Sequence, residues 1–185
     1  MTSKNTLIIG TRGSALALAQ ADMVRAALSA LHPGLDIRRE IIRTTGDRRM
    51  DVPLADVARV SGIVDKGIFI KELETALLEG RIDVAVHSLK DVPSELAPEF
   101  RLPAVLPRAE AEDVLIPKAP DWNGRGTLAT GSVRRRLMAR TYWGRQLRFE
   151  DLRGNVPTRL EKLVEHPEWD AVILAKAGLE RLGLY

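Results

Sequence analysis

The sequence predicts an α/β protein with mixed, mostly parallel sheets in two domains. The first observation is that short apolar segments alternate with longer amphipathic segments along the chain, which is typical of strands and helices in such folds. The second is a proline-rich interval from Pro93 to Pro120, which indicates a domain boundary. With the crossing near Pro103, we expect domain 1 to cover residues 1–103 and domain 2 residues 104–185.

The first domain begins with a predicted strand, turn and helix. Leu7–Ile9 is a short apolar strand, and Ala15–Leu31 is a helix that Ser14 caps and that ends at His32-Pro33-Gly34. The later predictions for this domain are a strand at Ile37–Ile42, a helix at Lys71–Glu79 that Gly80 ends, and a strand at Ile82–Val86. The irregular segment Arg43–Lys66 is predicted to be a mobile loop that acts as a lid.

The second domain repeats this alternation with shorter elements. Four apolar segments predict strands, at Val114–Ile116, Leu128–Ala129, Leu147–Phe149 and Ala171–Ala175. Helical patterns lie between them at Val133–Tyr142 and Val156–Val164.

Composition restricts the kind of site that the chain can form. The 185 residues include 28 basic and 25 acidic side chains, a net charge of +3, and no cysteine. A cysteine-free chain has no disulfide, thiolate metal site or cysteine nucleophile, and it is compatible with the reducing cytoplasm, where we expect this protein. No run of 18 apolar residues occurs, so we expect no membrane span.

Polar loops that follow predicted strands point to an anionic ligand. Ligands of open α/β sheets bind beyond the carboxyl ends of the strands, where helix N-termini offer free N–H groups. Here those loops are Gly10–Ser14, His87–Pro93, Thr130–Arg135 and Asp151–Asn155. Because arginine pairs well with carboxylate or phosphate, we predict a polyanion site formed by Arg12, Arg134, Arg135, Arg153 and Arg159, with Ser14, Thr130, Ser132 and Asn155 as neutral donors.

Asp91 is the one carboxylate that stands out among these cations. It follows a predicted strand directly, in the segment Lys90–Pro93. An Asx turn before proline is the structural alternative. Beside converging arginines, a carboxylate suits chemistry in which positive charge develops on a substrate with a negative periphery.

Three other ligand classes fit the sequence less well. Gly126 and Gly131 have the spacing of a phosphate-binding loop, but Ser132 stands where that loop needs lysine. Nucleic-acid binding would need aromatic residues among the basic ones, and only 4% of the chain is aromatic. We therefore predict no nucleic-acid binding. The three histidines lack metal-ligand spacing, so we also predict no metal.

Six motifs in order along the chain resemble hydroxymethylbilane synthase, the porphobilinogen deaminase family. The most characteristic is His-Ser-Leu-Lys-Asp-Val-Pro at residues 87–93. The full set covers residues 11–17, 66–74, 86–93, 130–135, 152–156 and 177–184. The resemblance therefore extends over almost the whole sequence.

The resemblance implies a fold, a cofactor and a role for each matching residue. It implies two domains like those of type II periplasmic binding proteins, a third domain beyond them, and a dipyrromethane cofactor. Asp91 would be the catalytic carboxylate in the condensation of four porphobilinogen molecules with release of ammonia. The residues expected to bind substrate or cofactor are Arg12, Ser14, Lys66, Ser88, Lys90, Thr130, Ser132, Arg134, Arg135, Arg153, Asn155, Arg159 and Arg181.

The family's cofactor-bearing cysteine belongs to the third domain, which the 185 residues do not include. We therefore expect this chain alone to carry no covalent dipyrromethane, to be inactive, and to lack the segment that returns to domain 1, so that another chain can complete the fold. The alternative is a non-catalytic anion-binding module, or an inactive fragment, with the same fold.

Overall fold

The computed structural model describes residues 5–48 and 69–185. The chain divides into two compact units, Met1–Pro107 and Arg108–Tyr185. The division follows Pro103, the predicted crossing point, by only a few residues.

A parallel sheet forms the centre of the first unit, with strand order β2-β1-β3. Its elements are β1 (Thr6–Thr11), α1 (Ala15–Leu31), β2 (Asp36–Ile41), α2 (Thr45–Arg48), α3 (Lys71–Leu78), β3 (Val84–Ala85) and a 3₁₀ turn at Leu89–Asp91. Because all three strands are parallel, the loops that follow them meet at one edge of the sheet. Arg12, Thr44 and His87 belong to these loops.

The core of the first unit packs α3 against the sheet. Leu73 and Ala76 of α3 are buried with Ile42 and Ile82 in one cluster. Ile82 also explains Gly10 in β1, because a Cβ built on that glycine would lie 2.2 Å from Ile82 Cδ1. A larger residue at position 10 would therefore displace the core side chain that joins α3 to β3.

A mixed sheet with strand order β4-β7-β5-β6 forms the second unit. Its elements are β4 (Asp113–Pro117), β5 (Gly126–Ala129), α4 (Val133–Trp143), β6 (Leu147–Glu150), α5 (Val156–Glu165), β7 (Ala171–Ala175) and α6 (Lys176–Glu180). Only β4 runs antiparallel to its neighbour. The loops after β5, β6 and β7 consequently lie at the same edge of the sheet.

Strand β7 is buried on both faces of this sheet. Ala171 and Ile173 pack in a cluster with Ala139 of α4. The alternate residues Val172 and Leu174 pack with residues of α5 and α6 in a second cluster. This explains the continuous apolar sequence of β7, because a strand covered by helices on both sides shows no polar alternation.

The predicted mixed, mostly parallel α/β architecture is confirmed for the part of the chain that the structure describes. Helix α1 has the predicted bounds, and Ser14 caps it by accepting a hydrogen bond from Ala17 N at 3.3 Å. Strand β3 begins later than predicted, because Ile82 N bonds back to Ala76 O in the last turn of α3. The predicted loop begins with a short helix, α2, and its continuation over 49–66, including the expected lid, lies outside the described residues.

Candidate functional site

Arg12 is held in place at the carboxyl edge of the first sheet. Its Nε donates to both carboxylate oxygens of Asp47, at 3.1 and 3.2 Å, and its Nη2 donates to Asp47 Oδ1. The guanidinium also lies over the Phe69 ring, 4.1 Å from the centroid. Arg12, predicted to contact a ligand anion, thus already has a carboxylate partner from α2.

A second group of contacts fixes the turn that carries Asp47. The backbone N and the hydroxyl of Thr44 donate to Asp47 Oδ2, at 3.2 and 2.8 Å. Thr45 donates from the same two groups to Glu72 Oε1 of α3, at 2.7 and 2.6 Å. Burial tends to raise the pKa of the Asp47 carboxyl, but the bonds and charge of Arg12 and the Thr44 bonds lower the pKa below its usual value.

Asp91 lies at the end of the 3₁₀ turn that follows β3. Its backbone N donates to Ser88 O at 2.9 Å, while Ser88 Oγ donates to Gln20 Oε1 of α1, also at 2.9 Å. No hydrogen bond or ion pair with another described residue engages the Asp91 carboxylate. Lys90 is exposed beside it. Asp91 is therefore a carboxylate that a ligand can approach.

His87 was not predicted as a site residue, yet the charges of both Asp91 and Arg12 act on its imidazole. Burial lowers the pKa of the His87 imidazole, the Asp91 charge raises it, and the Arg12 charge lowers it further, with a net lowering. Asp91 and Arg12 therefore each lie close enough to His87 to act on its charge. Its place in the His-Ser-Leu-Lys-Asp segment was the only sequence signal for this histidine.

In the second unit, the predicted neutral donors cap two helices at the carboxyl edge. Ser132 Oγ accepts from Arg135 N at 3.3 Å at the start of α4, and Thr130 Oγ1 accepts from Ser132 N at 3.2 Å. Asn155 Oδ1 caps α5 by accepting from Thr158 N at 3.0 Å. These caps hold the helix N-termini, and the positive end of each helix dipole, beside the arginines.

Two of the predicted arginines share one carboxylate. Arg135 Nη2 donates to Asp113 Oδ1 at 2.7 Å, and Arg134 Nη2 lies 2.8 Å from Asp113 Oδ2. Arg135 also donates from Nη1 to Ile173 O at 3.0 Å. Asp113 follows the division between the units and begins β4, so it aligns with the end of β7 through the antiparallel pairing.

The charges of two other arginines act on Arg159. Burial lowers the pKa of the Arg159 guanidinium, and the charges of Arg135 and Arg153 lower it further. Arg159 Nε donates to a neutral acceptor, Gly154 O, at 2.7 Å. The structure therefore brings Arg135, Arg153 and Arg159 together, and a cluster of partly desolvated cations is stabilised by a bound anion.

Two further arginines of this unit, Arg181 and Arg136, differ in their contacts. Arg181 was predicted to bind a ligand carboxylate, and its Nε is buried without a hydrogen-bond partner among the described residues. Arg136 was not predicted; its Nε and Nη2 donate to Thr130 O at 3.1 and 3.0 Å, and it also pairs with Asp151. The sequence signal for Arg136 was its place in the run of three arginines.

Lys66 is the one predicted site residue outside the described residues. Within residues 5–48 and 69–185, no group of three or more histidine, aspartate or glutamate side chains has the geometry of a metal site. Over the same residues, no helix is long and apolar enough to cross a membrane.

Comparison with known proteins gives the same family along the chain. The family model described as "Porphobilinogen deaminase, dipyromethane cofactor binding domain" matches residues 7–185. The chain is 47% identical to the porphobilinogen deaminase of Roseiflexus sp. (strain RS-1), over 98% of this chain and 58% of that protein. It is 44% identical to the porphobilinogen deaminase of Gloeobacter violaceus, over 96% of this chain and 54% of that protein.

The chain thus spans little more than half the length of these curated relatives. The family match nevertheless includes both units and every loop described above. On these comparisons, the chain belongs to the porphobilinogen deaminase family.

Proposed function

We propose that this chain supplies the substrate- and cofactor-binding part of a hydroxymethylbilane synthase. That transferase of tetrapyrrole biosynthesis condenses four porphobilinogen molecules and releases ammonia. The main observation is that Arg135 lies in the first turn of α4 and Arg159 in that of α5, where Arg159 donates to Gly154 O at 2.7 Å. Burial lowers the pKa of the Arg159 guanidinium, and the charges of Arg135 and Arg153 lower it further. Each pyrrole unit brings two carboxylates, so a growing pyrrole chain is the kind of polyanion that such a cluster stabilises.

Asp91 is the group that we assign to the chemistry. When porphobilinogen loses ammonia, it becomes a cationic azafulvene, and a fixed carboxylate stabilises that positive charge. The Asp91 carboxylate suits this role because no described side chain engages it. Its neighbour His87 is half-buried, and the lowered pKa favours the neutral imidazole. The Asp91 charge is consequently not neutralised by a protonated histidine at neutral pH.

The arrangement of the second unit fits the carboxylates of a dipyrromethane cofactor. Arg153 and Arg159 flank the N-terminus of α5, and Arg181 has a buried Nε without a partner in the described part of the chain. Arg134, Arg135, Thr130 and Ser132 surround the start of α4. When bound, the dipyrromethane supplies the free pyrrole position to which the first substrate unit is joined. The thioether that holds it needs a thiol, and the 185 residues have no cysteine.

Several expectations from the sequence accompany this proposal. Each unit is expected to have the type II periplasmic-binding-protein-like fold, and Ser14, Lys66, Ser88 and Lys90 are expected to assist binding. Assembly with another chain and a cytoplasmic location also stay predictions. A non-catalytic anion-binding module with the same fold is the alternative function.

The deciding experiment uses a full-length protein that contains this sequence. Asp91→Asn should lower hydroxymethylbilane formation at least about a hundredfold while the circular dichroism spectrum stays unchanged. Glu95→Gln, at an exposed position nearby, is the matched control and should keep full turnover. Near-normal turnover in the Asp91 variant would reject the assigned role. Porphobilinogen binding by the unmodified protein without any turnover would favour the non-catalytic module.

A further inference from the structure

We propose that Asp47 is a positioning residue that directs the Arg12 guanidinium toward the ligand. The inference deepens the proposed function, on which it rests for the class of ligand. It concerns a carboxylate that was not among the predicted site residues. Asp47 is 35 residues from Arg12 in sequence, and the pairing depends on α2 lying beside the end of β1.

The pairing occupies one edge of the guanidinium and leaves another available. Nε and Nη2 of Arg12 both donate to Asp47, whereas Nη1 makes no hydrogen bond within the described residues. The side chains of Arg12 and Asp47 are 20% and 24% exposed, so the pair is partly desolvated but still reachable. A carboxylate ligand can therefore bind the Nη1 side while Asp47 retains the other edge.

Asp47 is fixed independently of Arg12, as a positioning group must be. Thr44 donates twice to its Oδ2, and Thr45 anchors the same turn to Glu72 of α3. Gly46 lies between these contacts and is buried. A Cβ built on Gly46 would lie 2.2 Å from Phe69 Cε1, so glycine allows the Phe69 ring to lie beneath Arg12.

Two possible roles of Asp47 predict opposite effects of its removal on ligand affinity. If Asp47 merely neutralised Arg12, its removal would strengthen the binding of an anion. If Asp47 orients Arg12, its removal releases a flexible side chain, and binding loses the benefit of a preorganised donor. The fixed turn, the contact of both Nε and Nη2 with Asp47, and the aromatic ring below the guanidinium favour orientation.

The test measures porphobilinogen affinity by calorimetry and Arg12 order by NMR of the arginine Nε–Hε signals. Asp47→Asn should weaken porphobilinogen binding about tenfold, as expected for the loss of one charge-assisted hydrogen bond. Asp47→Glu retains the negative charge but places the carboxylate differently, so porphobilinogen binding by this variant should also be weak. The Arg12 Nε–Hε signal should exchange slowly in the unmodified chain and rapidly in both variants. Asp36→Asn, which removes an exposed pair with Arg38, should change neither measurement.

Gly46→Ala provides a second variant that keeps every charge and should weaken binding by displacing Phe69. Stronger binding by the Asn variant, full recovery by the Glu variant, or an unchanged Arg12 signal would each overturn the proposal. If the unmodified chain does not bind porphobilinogen, the proposed function fails. The Arg12 signals then still decide whether Asp47 holds the guanidinium.

Discussion

Arg135 and Asp113 join the start of α4 to the start of β4 through two hydrogen bonds to one oxygen. Arg135 Nη2 and Nε lie 2.7 and 3.1 Å from Asp113 Oδ1. The side chains are only 12% and 15% exposed. Because Arg134 forms an ion pair with the other oxygen, Asp113 of β4 binds both arginines at the start of α4.

Asp113→Asn should therefore destabilise the fold. The amide leaves two guanidinium groups without a full counter-charge, and we expect a loss of about 2–3 kcal/mol in the free energy of unfolding. Urea unfolding followed by circular dichroism measures the change. Glu161→Gln, on the exposed face of α5, is the control and should stay within about 0.5 kcal/mol of the unmodified chain.

The same carboxylate predicts a dependence of stability on pH. Burial raises the pKa of Asp113, but the hydrogen bonds and charges of Arg135 and Arg134 outweigh it, so the pKa is lower in the folded chain. The stabilisation is thus present above about pH 4 and is lost as pH falls through the folded-state value. The free energy of unfolding, measured at a series of acidic pH values, should fall less steeply with decreasing pH in Asp113→Asn than in the unmodified chain. An identical slope would contradict the assignment.

Arg159→Met separates a ligand-binding role from a structural one. Removal of this cation relieves repulsion by Arg135 and Arg153 but gives up one bond to Gly154 O, so stability should change by about 1 kcal/mol or less. Porphobilinogen affinity should fall about tenfold or more, because a desolvated charge partner is lost. Arg140→Met, which removes an exposed arginine that lies over Phe149, should leave the affinity unchanged. Large destabilisation with unchanged affinity would identify Arg159 as a structural residue.

Asn155→Ala should weaken the start of α5. Its Oδ1 accepts from both the backbone N and the hydroxyl of Thr158, and loss of such a cap costs about 1 kcal/mol. Asn155→Asp keeps the acceptor and should retain stability. Thermal unfolding of the two variants measures the difference; equal melting temperatures would show that the cap contributes nothing measurable.

The 185-residue chain by itself should carry no covalently attached pyrrole. A thioether requires a thiol, and no cysteine is present in this sequence. After incubation with porphobilinogen, the intact mass should equal that of the bare polypeptide. A mass increase equal to one dipyrromethane would require a different attachment chemistry.

The fold was largely predictable from the sequence, because strand and helix patterns depend on residues close together in the chain. Helix α1 and its cap at Ser14 follow from a local signal, as do the apolar strand β7 and the end of the Lys71 helix near Gly80. The family resemblance, carried by six local motifs, is confirmed by the comparisons. Strand β3 was predicted to begin too early, because Ile82 N bonds to Ala76 O where the chain reverses after α3.

The partners of the site arginines were decided only by tertiary structure. The sequence by itself determined which loops carry arginine, serine and asparagine at the ends of strands. It did not determine that Asp47 meets Arg12 or that Asp113 meets Arg135, because these residues are 35 and 22 positions apart and their contact depends on how strands and helices are arranged. The burial that lowers the pKa of Arg159 likewise arises only when the loops after β5 and β6 come together at one edge of the sheet.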